Sequence, residues 1–442
     1  MLPQDDRSLL DVIVRAHKRG QPFGVYSICS AHPYVLQASL AHAQRAGAPL
    51  LIESTCNQVN QFGGYTGMTP ADFASYVRGF AQQCSFPPDR IMLGSDHLGP
   101  NPWQDTPAAL AMDRAQTLVR DSVCAGYVKL HLDASMNLAD DPANAPLDPR
   151  VAAQRTADLA AAAEEARRHA PPGVGAPRYV IGAEVPSPGG MLHHETQATV
   201  SHWVDVEETI ELTEQAFLMR GLGSAWERVV AVVVEPGVEF GDRVVFEYDH
   251  ARAGALSRFI ERYEGLVYEA HSTDYQTCPA LTRMEADDFA ILKVGPAMTF
   301  GFREAIFALG HIEEELLAGR AEVTLSGVRE ALEQAMLADP THWCKYYRGN
   351  PVDQRIARAF SLSDRSRYYW PTPEVQAALE QLLENLRSVT PIHPALLSQY
   401  LPVQQGRIRS GQLSADPAAL ILDKIDDVLA DYACACGHEA RL

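Results

Sequence analysis

Acidic and imidazole side chains recur at the carboxyl ends of short apolar runs along this chain. Two pairs are the sharpest signals: Asp96 with His97 in RIMLGSDH, and His131 with Asp133 in YVKLHLDAS. If these runs are strands, Asp96 and His97 point in different directions, so one can bind a metal while the other reaches a substrate. His131 and Asp133 share one strand face. Each pair also has a purely structural explanation, a turn for the first and a buried His–Asp hydrogen bond for the second.

The run ends together carry a set of groups that suits a divalent-metal site. The alternative is a structural polar network in which these groups satisfy one another. We favour convergence on one site, because seven of the eight runs contribute to the set. Its members are Glu53, Asn57, Gln58, Asp96, His97, His131, Asp133, Glu184, Glu235, His271, Asp274 and Lys293.

Eight β-branched runs alternate with long segments of helical periodicity, and this alternation predicts the elements that position those groups. Eight alternating β and α units predict an α/β fold, a closed (β/α)8 TIM barrel with its helices outside. An open doubly wound sheet is the alternative, but no G-x-G-x-x-G turn follows the first run. The runs cover residues 23–30, 49–55, 90–97, 127–135, 178–185, 228–236, 265–272 and 289–296.

The loops between the predicted elements are asymmetric. Long polar segments follow the strands, whereas several returns from helix to strand are short. Barrel enzymes place their sites at the carboxyl ends of the strands, so we expect the chemistry at that mouth. The last strand leads into a closing helix, and further helical segments follow. We therefore expect a barrel domain over residues 1–310 and a helical C-terminal extension over residues 311–442 that packs on it.

The charge balance excludes some classes of function. The 442 residues include 37 basic and 56 acidic ones, a net charge of -19, which repels nucleic acid and anionic membranes. No apolar run reaches the roughly 18 residues of a membrane span, and the acidic start does not resemble a signal peptide. The eight cysteines are too sparse for a disulfide scaffold. We expect a cytoplasmic protein with reduced thiols.

An anionic small substrate remains compatible with this charge, because a local pocket can oppose the global sign. The segment 293–304 presents a run of loop amides and then a helix start, the position where barrels commonly hold a phosphate. Gly295 supplies an amide there, and Lys293 or Arg303 could assist. Arg303 could instead pair with a neighbouring helix.

The segment SLSDRSRYYWP, residues 361–371, is an unusual cluster of arginine and aromatic residues. Arg365 and Arg367 could reach an anionic substrate from this subunit or from a neighbour. The alternative, slightly favoured, is an aromatic packing corner with exposed arginines. No G-x-x-x-x-G-K-[ST] or G-x-S-x-G motif occurs, which disfavours a P-loop kinase and an α/β-hydrolase.

These motifs resemble the Z-type subunit of class II tagatose-1,6-bisphosphate aldolases. The resemblance runs from about residue 15 to the C-terminus and implies an aldolase-like TIM barrel from ketohexose and hexitol catabolism. Members are described as non-catalytic aldolase subunits, as tagatose-6-phosphate kinases and as ketohexose 4-epimerases. The segments that carry the resemblance are SAHPYVLQASL, IESTCNQVNQFGGYTGMTP, LGSDHLGPNPW, KLHLDASM, VIGAEVPSPGG, VVEPGVEF, YEAHSTDYQT, ILKVGPAMTFGFREAIFALG, SLSDRSRYYWP and SQYLP.

The resemblance also implies roles at the mouth. In the related catalytic aldolases, an Asp–His pair at strand three supplies an acid/base and a zinc ligand, and later strands supply two more histidines. By similarity, Asp96 is the acid/base, and His97 and His271 are metal ligands. Glu235 stands where the strand-six histidine is expected, which departs from ordinary aldolase zinc chemistry, although glutamate also binds divalent metals. The implied cofactor is a divalent ion such as Zn, Mn, Ni or Co.

A ketohexose 4-epimerase fits this set of residues. C4 of a 2-ketose is not acidified by the carbonyl, but retro-aldol cleavage of C3–C4, rotation of the aldehyde and re-addition invert it. Asp96 would be the base, with Glu184, His131 or Asp133 passing protons. We expect tagatose and fructose, or their 6-phosphates, as substrates. Substrate contacts are expected from Asn57, Gln58, His131, Ser272, Asp274, Lys293, Gly295, Arg303, Arg365 and Arg367.

Other functions remain open at this stage. The resemblance also implies a non-catalytic partner that stabilises a separate class II tagatose-bisphosphate aldolase subunit, and a homo-oligomer is compatible with either role. A Schiff-base aldolase acting through Lys293 is less favoured, because potential metal ligands surround the lysine.

Overall fold

Eight parallel strands close into a barrel, which confirms the predicted (β/α)8 fold. The computed structural model describes residues 8–142, 145–169, 175–182, 198–389 and 391–438. The strands are β1 (Val25–Cys29), β2 (Leu50–Thr55), β3 (Ile91–Leu98), β4 (Lys129–Leu132), β5 (Arg178–Ile181), β6 (Val229–Val234), β7 (Glu239–Phe240), β8 (Val245–Phe246), β9 (Val267–Ala270) and β10 (Phe289–Val294). The barrel order is β1-β10-β9-β6-β5-β4-β3-β2, and β7 and β8 form a separate antiparallel pair.

Alternate residues of each strand pack on opposite sides of the barrel wall. On β2, Leu50 and Ile52 join the apolar cluster between strands and helices, whereas Leu51 joins a smaller cluster inside the barrel. The next inward position on β2 is Glu53, which is also buried. The barrel interior is therefore apolar at its lower end and polar towards the mouth.

The first helix, α1 (Leu9–His17), closes the lower end of the barrel. Its residues Leu10, Ile13 and Val14 complete the inner apolar cluster. The helix begins where the sequence provides a capping residue, because the side chain of Ser8 accepts a hydrogen bond from a backbone N–H of the first turn. This packing leaves the opposite end of the barrel for the polar groups.

Helices surround the barrel and build the extension. None of the described helices is both long and apolar enough to cross a membrane. The others are α2 (Pro33–Ala46), α3 (Pro70–Gln83), α4 (Ala108–Ala125), α5 (Pro149–Arg167), α6 (Trp203–Met219), α7 (Gly223–Trp226), α8 (His250–Ile260), α9 (Cys278–Ala286), α10 (Pro296–Leu317), α11 (Val328–Ala338), α12 (Pro351–Phe360), α13 (Pro373–Ser388), α14 (Pro394–Tyr400), α15 (Pro402–Arg409) and α16 (Pro417–Ala435).

The helices of the C-terminal extension pack on the outer helices of the barrel. Helix α16 contacts α2, α9 and α10, and α13 also packs on α10. The expected boundary at residue 310 lies inside α10, so this helix belongs to both parts. The division into two domains stays a prediction.

A disulfide joins α9 to α16, which differs from the expectation that all thiols stay reduced. Cys278 and Cys434 are 156 residues apart in sequence, but their Cα atoms lie 6.5 Å apart. That separation is within the range a disulfide needs. The sequence could not reveal the pair, because cysteine spacing does not report which thiols meet after packing.

An ion pair anchors the end of α1. His17 Nε2 and Nδ1 each lie 3.1 Å from a carboxylate oxygen, on Glu285 and Asp288 respectively. Burial by itself lowers the pKa of His17, but hydrogen bonds and charge from the two carboxylates outweigh it and raise that pKa to about 9. The protonated histidine therefore ties α1 to the loop before β10.

We predict that His17→Gln flattens the dependence of stability on alkaline pH. The folded-state pKa of about 9 exceeds the unfolded value of 6.5, so the stabilisation is complete below pH 6.5 and is lost as pH rises through 9. Calorimetric unfolding temperatures measured across that window should fall more steeply for the wild type than for the variant. Equal slopes in the two proteins would contradict the prediction.

Candidate active site

The carboxyl ends of β3, β4 and β9 bring a group of potential metal ligands together. Asp96, His131, Glu269 and His271 each offer one ligand atom, and these atoms all lie within 4.8 Å of one another. His97 adds a third imidazole, whose ring centroid lies 5.3 Å from that of His131 and 5.0 Å from that of His271. All five side chains are buried. We call these five residues the mouth cluster.

The spacing of the ligand atoms fits a divalent ion. Asp96 Oδ1 lies 3.2 Å from His131 Nδ1 and 3.7 Å from His271 Nε2. His271 Nε2 in turn lies 2.9 Å from Glu269 Oε1. A tetrahedral site with bonds of about 2.0–2.1 Å has ligand atoms about 3.3 Å apart. The other ring nitrogens, Nε2 of His131 and Nδ1 of His271, have no hydrogen-bond partner within the described residues.

The protonation states of the cluster suit metal binding. Burial lowers the pKa of His131, although Asp96 opposes the shift. Burial and the charge of Lys293 lower the pKa of His271 to about 3, although Glu269 opposes them. Both imidazoles are therefore neutral near pH 7, which is the form that binds metals.

A distortion of β3 brings Asp96 and His97 to the same site. Strand alternation predicts that the two side chains point apart, but His97 Nε2 lies 3.6 Å from Asp96 Oδ2. The pairing of β3 with β4 shifts register after Ser95, and His97 has a φ of 46°, in the left-handed region. Asp133 Oδ2 then binds His97 Nδ1 at 2.9 Å and orients the ring. The irregular backbone thus turns both residues of the pair into the mouth.

A fully buried lysine lies directly below the mouth cluster. Lys129 Nζ lies 2.6 Å from a carboxylate oxygen of Glu53 and 2.6 Å from one of Glu269. Burial lowers the pKa of Lys129, but the two carboxylates hold it above its ordinary value. Gly94 makes this pairing possible, because a Cβ there would lie 2.9 Å from Glu53 Oε1. The ammonium group compensates the charge of Glu269, and it opposes the burial that raises the pKa of Glu53 to about 7.

A second lysine neutralises Asp96 from the β10 side. Lys293 forms an ion pair with Asp96 Oδ2, and the thiol of Cys29 lies 3.7 Å from the same oxygen. Burial raises the pKa of Asp96, but His97, Lys293 and His131 outweigh it and hold the pKa well below its usual range. Asp96 is therefore ionised at neutral pH. It can accept a proton, while Lys293 supplies a positive charge beside it.

Comparison with known proteins identifies the family of this chain. The sequence profile of the D-tagatose-1,6-bisphosphate aldolase subunit GatZ/KbaZ-like family matches residues 10–437. The chain belongs to this family. The resemblance inferred from the sequence motifs is thereby confirmed.

Solved structures provide a second comparison. The chain is similar to a probable tagatose 6 phosphate kinase from Sinorhizobium meliloti 1021, with 44% identity, a TM-score of 0.85, and coverage of 93% of this chain and 100% of that one. The YdjI aldolase from Escherichia coli K12 matches with 10% identity and a TM-score of 0.39, over 87% of this chain and 98% of that one. Fructose-bisphosphate aldolase from Campylobacter jejuni matches with 12% identity and a TM-score of 0.39, over 86% and 92%.

Two predicted substrate contacts from the β2 loop lie at the edge of the mouth. Gln58 Oε1 lies 3.8 Å from the thiol of Cys29, which itself contacts Asp96. Asn57 donates a hydrogen bond of 3.0 Å to Asn101 in the β3 loop. The two residues link neighbouring loops beside the mouth cluster.

The predicted anion site at the start of α10 is occupied by a side chain of the protein. Asp274 accepts hydrogen bonds from the backbone N–H groups of Gly295 at 3.0 Å and Ala297 at 2.8 Å. Burial raises the pKa of Asp274, although these two amides oppose the shift. The amides expected to bind a phosphate therefore already bind a carboxylate, and a phosphate would have to displace it.

The three predicted anion-binding arginines serve mainly as packing groups. Arg303 Nε lies 3.0 Å from Asp364 Oδ1, and the guanidinium also contacts backbone carbonyls of the extension. Arg365 is buried and donates to the carbonyl of His342 at 3.0 Å. Arg367 donates to Tyr368, and its charge acts on Asp274. Of the three arginines, Arg367 is the one whose charge lowers the pKa of Asp274.

Two further predicted residues, Glu235 and Ser272, lie just after β6 and β9. The backbone of Glu235 pairs with Ser201, and its carboxylate is not part of the mouth cluster. Ser272 follows β9 and has a φ of 54°, in the left-handed region. Burial raises the pKa of Glu239 to about 7. Glu184, a predicted catalytic residue, lies outside the described residues.

Sequence reasoning missed two residues that the structure places at the centre of the site. Glu269 precedes His271 by two positions in YEAHS, so the two share a strand face. Lys129 stands in the same relation to His131 in VKLHL. This spacing is the signal that could have identified them, and it is the same i, i+2 spacing that singled out His131 and Asp133.

We predict that Lys129→Met strongly destabilises the fold at neutral pH. The substitution leaves the buried carboxylates of Glu53 and Glu269 without a counter-charge, a defect that costs about 3–5 kcal/mol. Urea unfolding measures the loss. The double variant Glu53→Gln/Lys129→Met should regain part of it, because one of the two uncompensated carboxylates is removed.

The exposed lysine Lys345 provides the matched control for this prediction. Lys345→Met should change the free energy of unfolding by no more than about 0.5 kcal/mol. A Lys129→Met protein as stable as this control would show that Glu53 and Glu269 do not need the ammonium group.

Proposed function

We propose that this chain acts as the subunit of a tagatose-bisphosphate aldolase that binds and supports a separate catalytic subunit. The observation that carries the proposal is the match to an aldolase-subunit family over residues 10–437. The partner in this proposal is a class II tagatose-bisphosphate aldolase catalytic subunit. In this proposal, the partner binds to the outer surface of the C-terminal helices.

Co-purification with that catalytic subunit tests the proposal. We expect a complex on size-exclusion chromatography and a longer half-life of aldolase activity at elevated temperature when this chain is present. Asp96→Asn should support the partner as well as the wild type does, because support depends on the outer surface and not on the mouth. No complex and no gain in half-life would overturn the proposal.

We also propose a second function, a ketohexose 4-epimerase at the mouth of the barrel. The specific observation in its favour is the buried mouth cluster, in which the carboxylate of Asp96 lies beside the ammonium group of Lys293. A support role alone needs no such group of buried polar side chains. The proposed substrates are tagatose and fructose, either free or as 6-phosphates.

The residues that would hold a divalent ion are those of the mouth cluster. Within it, Glu269, His271 and His97 would hold the ion, which leaves Asp96 and His131 available for proton transfer. His271 belongs both to this set and to the set implied by the family resemblance. Such an ion, when bound, supplies Lewis-acid stabilisation of the sugar oxygens. Zn, Mn, Ni and Co all suit these ligands.

The side chains of the mouth account for the proton transfers of an epimerase. In the proposed reaction, Asp96 removes the proton of the C4 hydroxyl while the C3–C4 bond breaks to an enediolate and an aldehyde. The aldehyde rotates, the bond forms again on its other face, and Asp96 returns the proton to the C4 oxygen. Lys293 stabilises the developing negative charge. His131, Asp133 and Glu184 are proposed to relay protons.

NMR of the purified chain with tagatose, or with its 6-phosphate, tests this second function. We expect the matching fructose product, sensitive to EDTA. Asp96→Asn should lower kcat by at least about 100-fold, because the proton acceptor is lost. Asp158→Asn, which alters an ion pair with Arg220 on the outer helices, is the matched control. Full activity of Asp96→Asn would refute the assigned role, and no conversion of either sugar would leave the support role alone.

A further inference from the structure

Helix α12 exposes an apolar stripe on the surface of the extension. Val352, Ile356 and Phe360 are 57%, 43% and 48% exposed, and they lie four residues apart on one helix face. Such spacing normally marks the face that packs against a core. In α12, however, the buried side chains are Ala357 and Arg358, so the helix packs on the extension through residues outside the stripe. Phe360 packs edge-on against Phe307, and the described residues leave about half of each of the three side chains exposed.

A cleft continues the stripe beyond Phe360. It encloses about 390 Å³ between α10, α12, α14 and α15, and Phe307, Tyr400 and the half-exposed Val403 line it. This volume is large enough to accept one or two apolar side chains. Arg329 borders the cleft, and its guanidinium contacts His311 at 2.8 Å. We call the stripe and the cleft together the α12 face.

Exposed basic residues lie in α12 and just before it, in a chain whose net charge is negative. Residues 345–356 contain Lys345, Arg348 and Arg355 but a single acidic residue, Asp353, whereas the chain carries a net charge of -19. Arg358 is buried against Glu333, and the ion pair of Glu304 with Lys424 lines the cleft. Lys345, Arg348 and Arg355 are exposed. Basic groups around an apolar stripe are complementary to an acidic surface that presents apolar side chains.

We infer that the α12 face docks an acidic protein partner, which inserts apolar side chains into the cleft. This inference rests on the proposed support function, since the partner that function provides is the aldolase catalytic subunit. A second copy of this chain is a poorer occupant. Pairing of two α12 faces about a two-fold axis would oppose their basic residues, and like charges at an interface are unfavourable.

Calorimetric titration of this chain with the class II aldolase catalytic subunit tests the inference. Ile356→Ser should raise Kd at least about tenfold, because the centre of the apolar stripe is lost. Arg355→Glu should also raise Kd and should weaken the dependence of Kd on salt. Both substitutions are at exposed positions, and unchanged unfolding temperatures would confirm that the variants fold.

Met219, which is 85% exposed at the end of α6, provides the matched control. Met219→Ser should bind the partner like the wild type. If Ile356→Ser and Arg355→Glu also bind unchanged, the inference is overturned while the support function survives. If the wild type binds no catalytic subunit, both fail together. A homodimer of this chain that Ile356→Ser dissociates would assign the face to a second copy and overturn the inference.

Discussion

The ion pairs of Lys129 with Glu53 and Glu269 are the constraint on which the rest of the mouth depends. None of the three side chains is accessible to water, so each charge needs the others. Because Lys129 keeps Glu269 ionised, Glu269 can hold the ring of His271 in place. The absence of a side chain at Gly94 provides the space for this arrangement. The apolar cluster below it separates the charges from the lower end of the barrel.

The extension is joined to the mouth by polar contacts as well as by apolar packing. Thr273, just after β9, donates a hydrogen bond to the carbonyl of Lys293 and contacts the hydroxyl of Tyr432 on α16. The Arg303–Asp364 pair joins α10 to the segment that follows α12. Through these contacts, the extension is linked to the ends of β9 and β10.

The elements of the barrel could be predicted from the sequence because each is a local pattern. Each of the eight predicted runs corresponds to one strand of the barrel, although most strands are shorter than the runs. Helix starts such as that of α3 follow a capping residue, Thr69. The convergence of Asp96, His131 and His271 followed from the barrel topology alone. The position of Asp274 could not be predicted in this way, because its carboxylate accepts hydrogen bonds from backbone amides of another loop. The distortion at His97 was also beyond a pattern based on regular strand alternation.

By itself, the sequence determined the fold, the family and the end of the barrel at which the polar groups gather, because hydrophobic periodicity and long motifs are properties of the chain order. Only the tertiary structure decided which groups pair. The structure places Glu269, and not Glu235, in the group of potential metal ligands. It also places Lys129 between Glu53 and Glu269, as their counter-charge. Pairing depends on strand register, on local irregularities and on distances of a few ångströms between residues far apart in sequence, and these are set when the whole barrel closes.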